Sequence, residues 1–242
     1  MTLLDHLLVV VLFVVLPLEG RHSMRRLAEA HGRGDLDARS RLLVRVIALQ
    51  WALTLALLAG WASAGRAWPD LGVTVAGGWR AVAGALVVVA TLGLVWAQHR
   101  SVRRLAPERC ERLKAKLGDF GLLLPTTARE RRLFAAVSLT AGVCEELLCR
   151  GFAIWYLEHW MGVWVAVVVA AAPFGIAHLY QGKKGAVKTG VVGLLLGALY
   201  VGSGSLLWPM LVHAAVDLGA GMLGDRLGRP VGQGGIEPAP VL

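Results

Sequence analysis

Long apolar runs separated by short polar segments recur along this chain, a pattern that predicts helices crossing a membrane. Seven stretches stand out: residues 3–18, 42–62, 81–98, 133–157, 162–179, 186–201 and 206–223. A helix needs roughly 17 to 25 apolar residues to cross ~30 Å of hydrocarbon, so the first and sixth stretches lie near the lower limit. The first lacks a basic leader, is followed by Pro17, Glu19 and Arg21, and has no small-residue cleavage site, which favours a first span over a signal peptide. Between the third and fourth stretches, residues 100–132 are too polar to cross. They still carry Leu105, Leu113, Leu117 and Phe120 among their bases, a pattern open to an interfacial amphipathic helix or a solvated basic loop. The fold expected is all-α, a polytopic transmembrane bundle of about seven helices. It divides into N-terminal helices with a basic segment (1–132), a helical core (133–223) and a Gly- and Pro-rich flexible tail (224–242).

Composition agrees: 56% of the 242 residues are hydrophobic and 17% charged, outside the range of ordinary soluble domains. The formal net charge of +9 would suggest nucleic acid in a soluble protein. Here the bases lie between apolar runs, so the charge is read as topology and no nucleic-acid partner is expected. The segments after the first, third and fifth stretches and the C-terminal tail hold Arg21, Arg25, Arg26, Arg33, Arg39, Arg41, ten bases over 100–132, Lys183, Lys184, Lys188, Arg226 and Arg229. The opposite set holds Arg66 and Arg80. Basic residues resist translocation, so seven spans with the N-terminus outside and the C-terminus cytoplasmic satisfy every segment. A bacterial inner membrane is the expected location. Tryptophans such as Trp61, Trp96 and Trp208 sit near span ends as headgroup anchors, and Gly190, Gly193 and Gly197 would let helices approach closely. Cys110, Cys144 and Cys149 show no metal-type CxxC spacing and imply no disulfide framework.

Chemistry enters in the fourth stretch, where Glu145 and Glu146 stand side by side with Arg150 following. A carboxylate at the centre of a membrane helix costs about 2.5 to 3.5 kcal/mol on insertion scales, so it is kept facing protein or a wet cavity. At about 100° per residue Glu146 and Arg150 share a face and Glu145 points elsewhere, which predicts a Glu146–Arg150 pair and a Glu145 left free to titrate. The fifth stretch carries Phe174 and His178, and the seventh His213 and Asp217, each pair at i and i+4. A lone histidine in an apolar helix is more often a packing residue. The case rests on these polar groups together, which could all face one interior.

Glu145-Glu146 to Arg150, Phe174 to His178 and His213 to Asp217 resemble, in order, the three motifs of the CPBP intramembrane proteases, which include the Ras-converting CAAX endopeptidase and the bacterial Abi group. The resemblance spans residues 133–223, and seven spans are fewer than is common in that family. It implies an intramembrane endopeptidase acting on a membrane-associated protein or peptide substrate within the lipid bilayer. Glu145 would be the general base and His178 would orient the attacking water. His213, held by Asp217, would stabilise the oxyanion, with Glu146, Arg150 and Phe174 in support. Many relatives carry Asn at the last position, which donates directly to an oxyanion; Asp217 as an anion would orient His213 instead. A metalloprotease variant, with a divalent metal such as zinc held by Glu145, His178 and His213, stays open, although no HExxH is present. Outside this class, buried Glu, His and Asp also build proton-coupled transporters, and a non-catalytic scaffold of the same fold is a third alternative. Internal symmetry, expected of many transporters, is not found.

Overall fold

The computed structural model describes residues 1–227, the side chains of residues 107, 114, 118, 119, 225 and 226 aside. Every regular element among them is helical. We number the helices α1 (Leu3–Gly32), α2 (Ala38–Ser63), α3 (Gly78–Arg103), α4 (Pro107–Leu117), α5 (residues 128–158), α6 (Val163–Ala177), α7 (Gly182–Ser203) and α8 (Leu207–Leu227). Each of the seven apolar stretches forms the body of one helix, and α4 is the short extra helix in the basic segment. Five helices among the described residues (α1, α2, α3, α7 and α8) are long and apolar enough to cross a membrane. The other two carry motif residues: α5 has Glu145, Glu146 and Arg150 in its middle, and α6 is only 15 residues long.

Several helices outrun their apolar stretches, for local reasons. Although the first stretch ends at residue 18, α1 runs for 30 residues and its second half is polar. A π-helical turn at Val11–Val15 lies just ahead of Pro17, whose missing N–H removes one bond from the regular ladder. α5 starts at Ala128, ahead of the apolar run. There the Thr127 hydroxyl accepts from the Glu130 amide and the Glu130 carboxylate accepts from the Thr127 amide, a reciprocal cap. α8 continues through Gly224 to Leu227, so the first part of the expected flexible tail is helical; residues 228–242 lie outside the described residues. Leu105, Leu113, Leu117 and Phe120 pack against Cys110, Leu124, Leu223 and Leu227, so the apolar side of the basic segment covers the end of α8.

α2 runs alongside α5, tied at successive levels by Arg39 to Glu130 (2.8 Å) and the Trp51 indole N–H to the Thr140 hydroxyl (3.3 Å). α8 packs on α5 and α3, α6 packs along α7, and α1 lies against α6. Gly190, Gly193 and Gly197 all face α6, as expected. The largest core cluster joins Leu8 and Leu12 of α1, Leu57 and Trp61 of α2, Leu147, Leu148 and Phe152 of α5, and Leu206. In hydrocarbon such a cluster is held by close packing, since lipid tails are as apolar as leucine. The turns at Gly118–Leu123 and Leu179–Gln181 meet each other and α1, which gathers three basic segments at one end of the bundle.

Candidate active site

Glu145 closes the first α-helical part of α5, and Glu146 opens a π-helical turn, Glu146–Phe152. Such turns insert a residue into a helix and frequently mark functional positions. Here the turn lies where the two carboxylates part company.

Glu146 is fully buried, and its Oε1 accepts from Arg150 Nη1 at 2.9 Å and from His213 Nδ1 at 2.7 Å. The expected Glu146–Arg150 pair is present, with α8 added to it. The guanidinium carbon of Arg150 lies 4.1 Å from the centre of the Phe174 ring, so α6 closes over the same cation. Two glycines make room. A Cβ on Gly193 would come within 3.1 Å of the Phe174 ring and 3.3 Å of Arg150 Nη2. A Cβ on Gly142 would meet Ala214 Cβ at 2.9 Å and the Met210 carbonyl at 3.0 Å, so only glycine lets α8 come close enough for His213 to reach Glu146.

Glu145 faces the other way. Its side chain is 22% exposed, Oε1 accepts from Gln50 Nε2 at 2.7 Å, and Oε2 lies 3.9 Å from His213 Nε2. His213 therefore sits between the two carboxylates, hydrogen-bonded to Glu146 and only facing Glu145. Because Nδ1 meets the carboxylate of Glu146, an acceptor, Nδ1 carries a proton and Nε2 is turned toward Glu145 and Asp217. Asp217 Oδ2 stands 3.6 Å from that Nε2, beyond hydrogen-bond distance. The tight partner of His213 is thus Glu146 on another helix, and its i+4 neighbour is the looser one.

His178 terminates α6, and its Nδ1 pairs with the Phe174 carbonyl at 2.8 Å. A carbonyl only accepts, so Nδ1 holds the proton and a neutral His178 has its lone pair on Nε2. His178 and Glu145 line one cavity of about 220 Å3, although in sequence they fall at different depths of their spans. The short α6 resolves this: at about 1.5 Å per residue it ends well inside the thickness of the bundle. α1, α2, α5 and α6 supply mostly apolar walls, among them Phe13, Leu16, Leu49, Leu148 and Ala170. Toward one end sit Glu19, Ser23 and Arg45, where Arg45 pairs with Glu19 and the Ser23 hydroxyl donates to Glu19 at 2.8 Å.

Residues 129–219 match a family model described as Type II CAAX prenyl endopeptidase Rce1-like. Over those residues the chain is similar to an Rce1-like domain. No curated protein and no solved structure matches the chain. The Rce1-like domain begins in the first turn of α5 and ends within α8, so it contains all three motifs and every site residue named from sequence. That family is one of proteases, and with its apolar helices the chain is an integral membrane protein.

Gln50, Glu19 and Arg45 lie ahead of the Rce1-like domain and were not singled out from sequence. Their signal was faint: Gln50 and Arg45 are isolated polar residues inside the apolar stretch 42–62, the kind of intrusion that faces protein or a wet cavity. Among the described residues no three His, Cys, Asp or Glu side chains are grouped as ligands of one ion, and the Nδ1 contacts of both histidines leave Nε2 as the nitrogen a metal would use.

Proposed function

We propose that the protein is an intramembrane endopeptidase that hydrolyses a peptide bond of a membrane-associated protein or peptide through water activated by Glu145. The observation that carries this reading is the position of Glu145: reachable from an apolar cavity it shares with His178, and 3.9 Å from His213. A carboxylate in such surroundings is a base for water, and its neighbours supply the remaining polar groups.

In the first step Glu145 takes a proton from water as the oxygen attacks the scissile carbonyl, with Nε2 of His178 accepting the water's other hydrogen and fixing its direction. The tetrahedral oxyanion develops beside His213, whose Nε2–H donates to it once that nitrogen is protonated. A preorganised donor of this kind contributes about 3 kcal/mol to the barrier. Glu145 then returns its proton to the leaving nitrogen, the C–N bond breaks, and an amine and a carboxylic acid form, the acid releasing its proton to solvent as it departs. Glu146 and Arg150 do no proton transfer; they hold the second edge of His213. Asp217 stands 3.6 Å from the same Nε2 and helps to orient the ring.

The apolar cavity walls suit an apolar or lipid-modified segment, and the basic end of the bundle suits the cytoplasmic leaflet, with the N-terminus outside in a bacterial inner membrane. The test compares new peptide termini in membranes of cells expressing the wild type and Glu145→Gln. Cleavage products present only with the wild type, at equal membrane levels of both proteins, support the reading; identical sets of termini overturn it.

A further inference from the structure

Glu145 is held by a residue from outside the Rce1-like domain. Gln50, on α2 and 95 positions earlier in the chain, donates its Nε2 hydrogen to Glu145 Oε1 at 2.7 Å. The meeting is fixed by other contacts along the same helix pair: the neighbouring Trp51 indole donates to the Thr140 hydroxyl at 3.3 Å, and Arg39 engages Glu130 at 2.8 Å further along. From this geometry we infer that Gln50 is the positioning residue for the Glu145 carboxylate, an inference that rests on Glu145 being the base.

A free carboxylate at the end of a glutamate side chain turns about its last bond and offers either oxygen to the cavity. Gln50 ties one oxygen, which leaves Oε2 on the side of His213. Charge is the second part of the argument. On its own helix Glu145 has Glu146 and Arg150 as neighbours, and Arg150 is taken by Glu146. Across from it stand His213 and Asp217 of α8 and His178 at the end of α6, with Cys149 and Tyr180 along the cavity. Arg45 on α2 and Glu19 on α1 line the same cavity and are paired with each other. Gln50 thus gives the base a neutral donor. A lysine or arginine there would also pin the carboxylate, but would suppress the basicity the reaction needs. The amide Oε1 of Gln50 is buried with no hydrogen-bond partner among the described residues, so this cavity-lining side chain offers an acceptor beside the base as well.

The test uses full-length protein in lipid nanodiscs. Gln50→Met keeps length and volume and removes the N–H; Gln50→Glu keeps the shape and donates only when protonated. Glu145 is followed by infrared titration of its protonated carboxyl band, identified by its loss in Glu145→Gln, a readout that needs no substrate. Cleavage of a quenched fluorescent farnesylated CAAX peptide is measured in parallel. In Gln50→Met we expect the Glu145 midpoint to rise by about one pH unit or more, with kcat about tenfold lower and KM within about twofold. In Gln50→Glu two facing carboxyls share one proton, so a second, higher midpoint appears. An unmoved midpoint in Gln50→Met, or a raised KM with unchanged kcat, overturns the inference. Should Gln50→Met not fold, the absence of a split titration in Gln50→Glu overturns it equally. If Glu145→Gln cleaves like the wild type, the protease reading falls instead, and the infrared result still decides the Gln50 contact.

Discussion

The two sides of α5 at the paired glutamates are built to opposite ends. On one side Glu146 is wholly buried against Arg150, His213 and the Phe174 ring; on the other Glu145, one residue earlier, opens to a cavity and is held by a single neutral amide. Residue type is the same and the chain position adjacent, so the contrast comes from the face each side chain occupies: Glu146 shares one with Arg150 and meets His213 of α8, and Glu145 faces Gln50 of α2. A charge buried against an opposite charge is scaffolding, even with Glu146 Oε2 and Arg150 Nη2 left without hydrogen bonds among the described residues, and a carboxylate with one neutral partner beside a cavity is free for chemistry.

The sharpest way to break the comparison is to remove the charge from each side in turn. Glu145→Gln is expected to lower cleavage by about a thousandfold while membrane insertion and thermal unfolding stay as in the wild type. Arg150→Met is expected to act on the opposite axis. It leaves Glu146 and His213 without their cation and should reduce stability by about 3 to 5 kcal/mol, read as a lower unfolding midpoint in nanodiscs. Replacing both members, Glu146→Leu with Arg150→Met, should recover part of that loss, because no unpaired charge then stays buried. A smaller effect is expected for His178→Ala: about a hundredfold lower kcat with near wild-type stability, since that side chain lines the cavity and takes no part in the buried cluster. Smallest of all should be Asp217→Asn, within about tenfold in kcat, because His213 keeps its 2.7 Å contact to Glu146. A loss from Asp217→Asn as large as that from Glu145→Gln would mean that the looser neighbour of His213 is the one that matters.

Sequence pattern carried far in some regions and not in others. The seven helices built on apolar stretches were legible because each has an apolar run of nearly the needed length, and the Glu146–Arg150 pair because i and i+4 positions meet on any helix. What could not be read were contacts between helices. His213 has an acid four residues on, yet its short hydrogen bond is to Glu146, 67 positions away. Gln50 is one amide in an apolar stretch, and only the register of α2 on α5 gives it meaning. The π turn at Glu146–Phe152 was not legible either, because the i and i+4 spacing of Glu146 and Arg150 within it reads as an ordinary α-helical pair. The early start of α5 was within reach, since Thr127 and Glu130 spell a reciprocal cap outside the apolar run.

The brevity of α6 has an effect beyond bringing His178 level with Glu145. A helix of 15 residues reaches about 22 Å, short of the ~30 Å of a typical hydrocarbon layer. Lipid beside it must thin, or headgroups must dip, to cover its ends. Such a dimple draws interfacial water toward Glu145, the proposed base, and shortens the path a tethered chain travels from the surface. Longer acyl chains would therefore act as a brake on turnover without touching a single side chain.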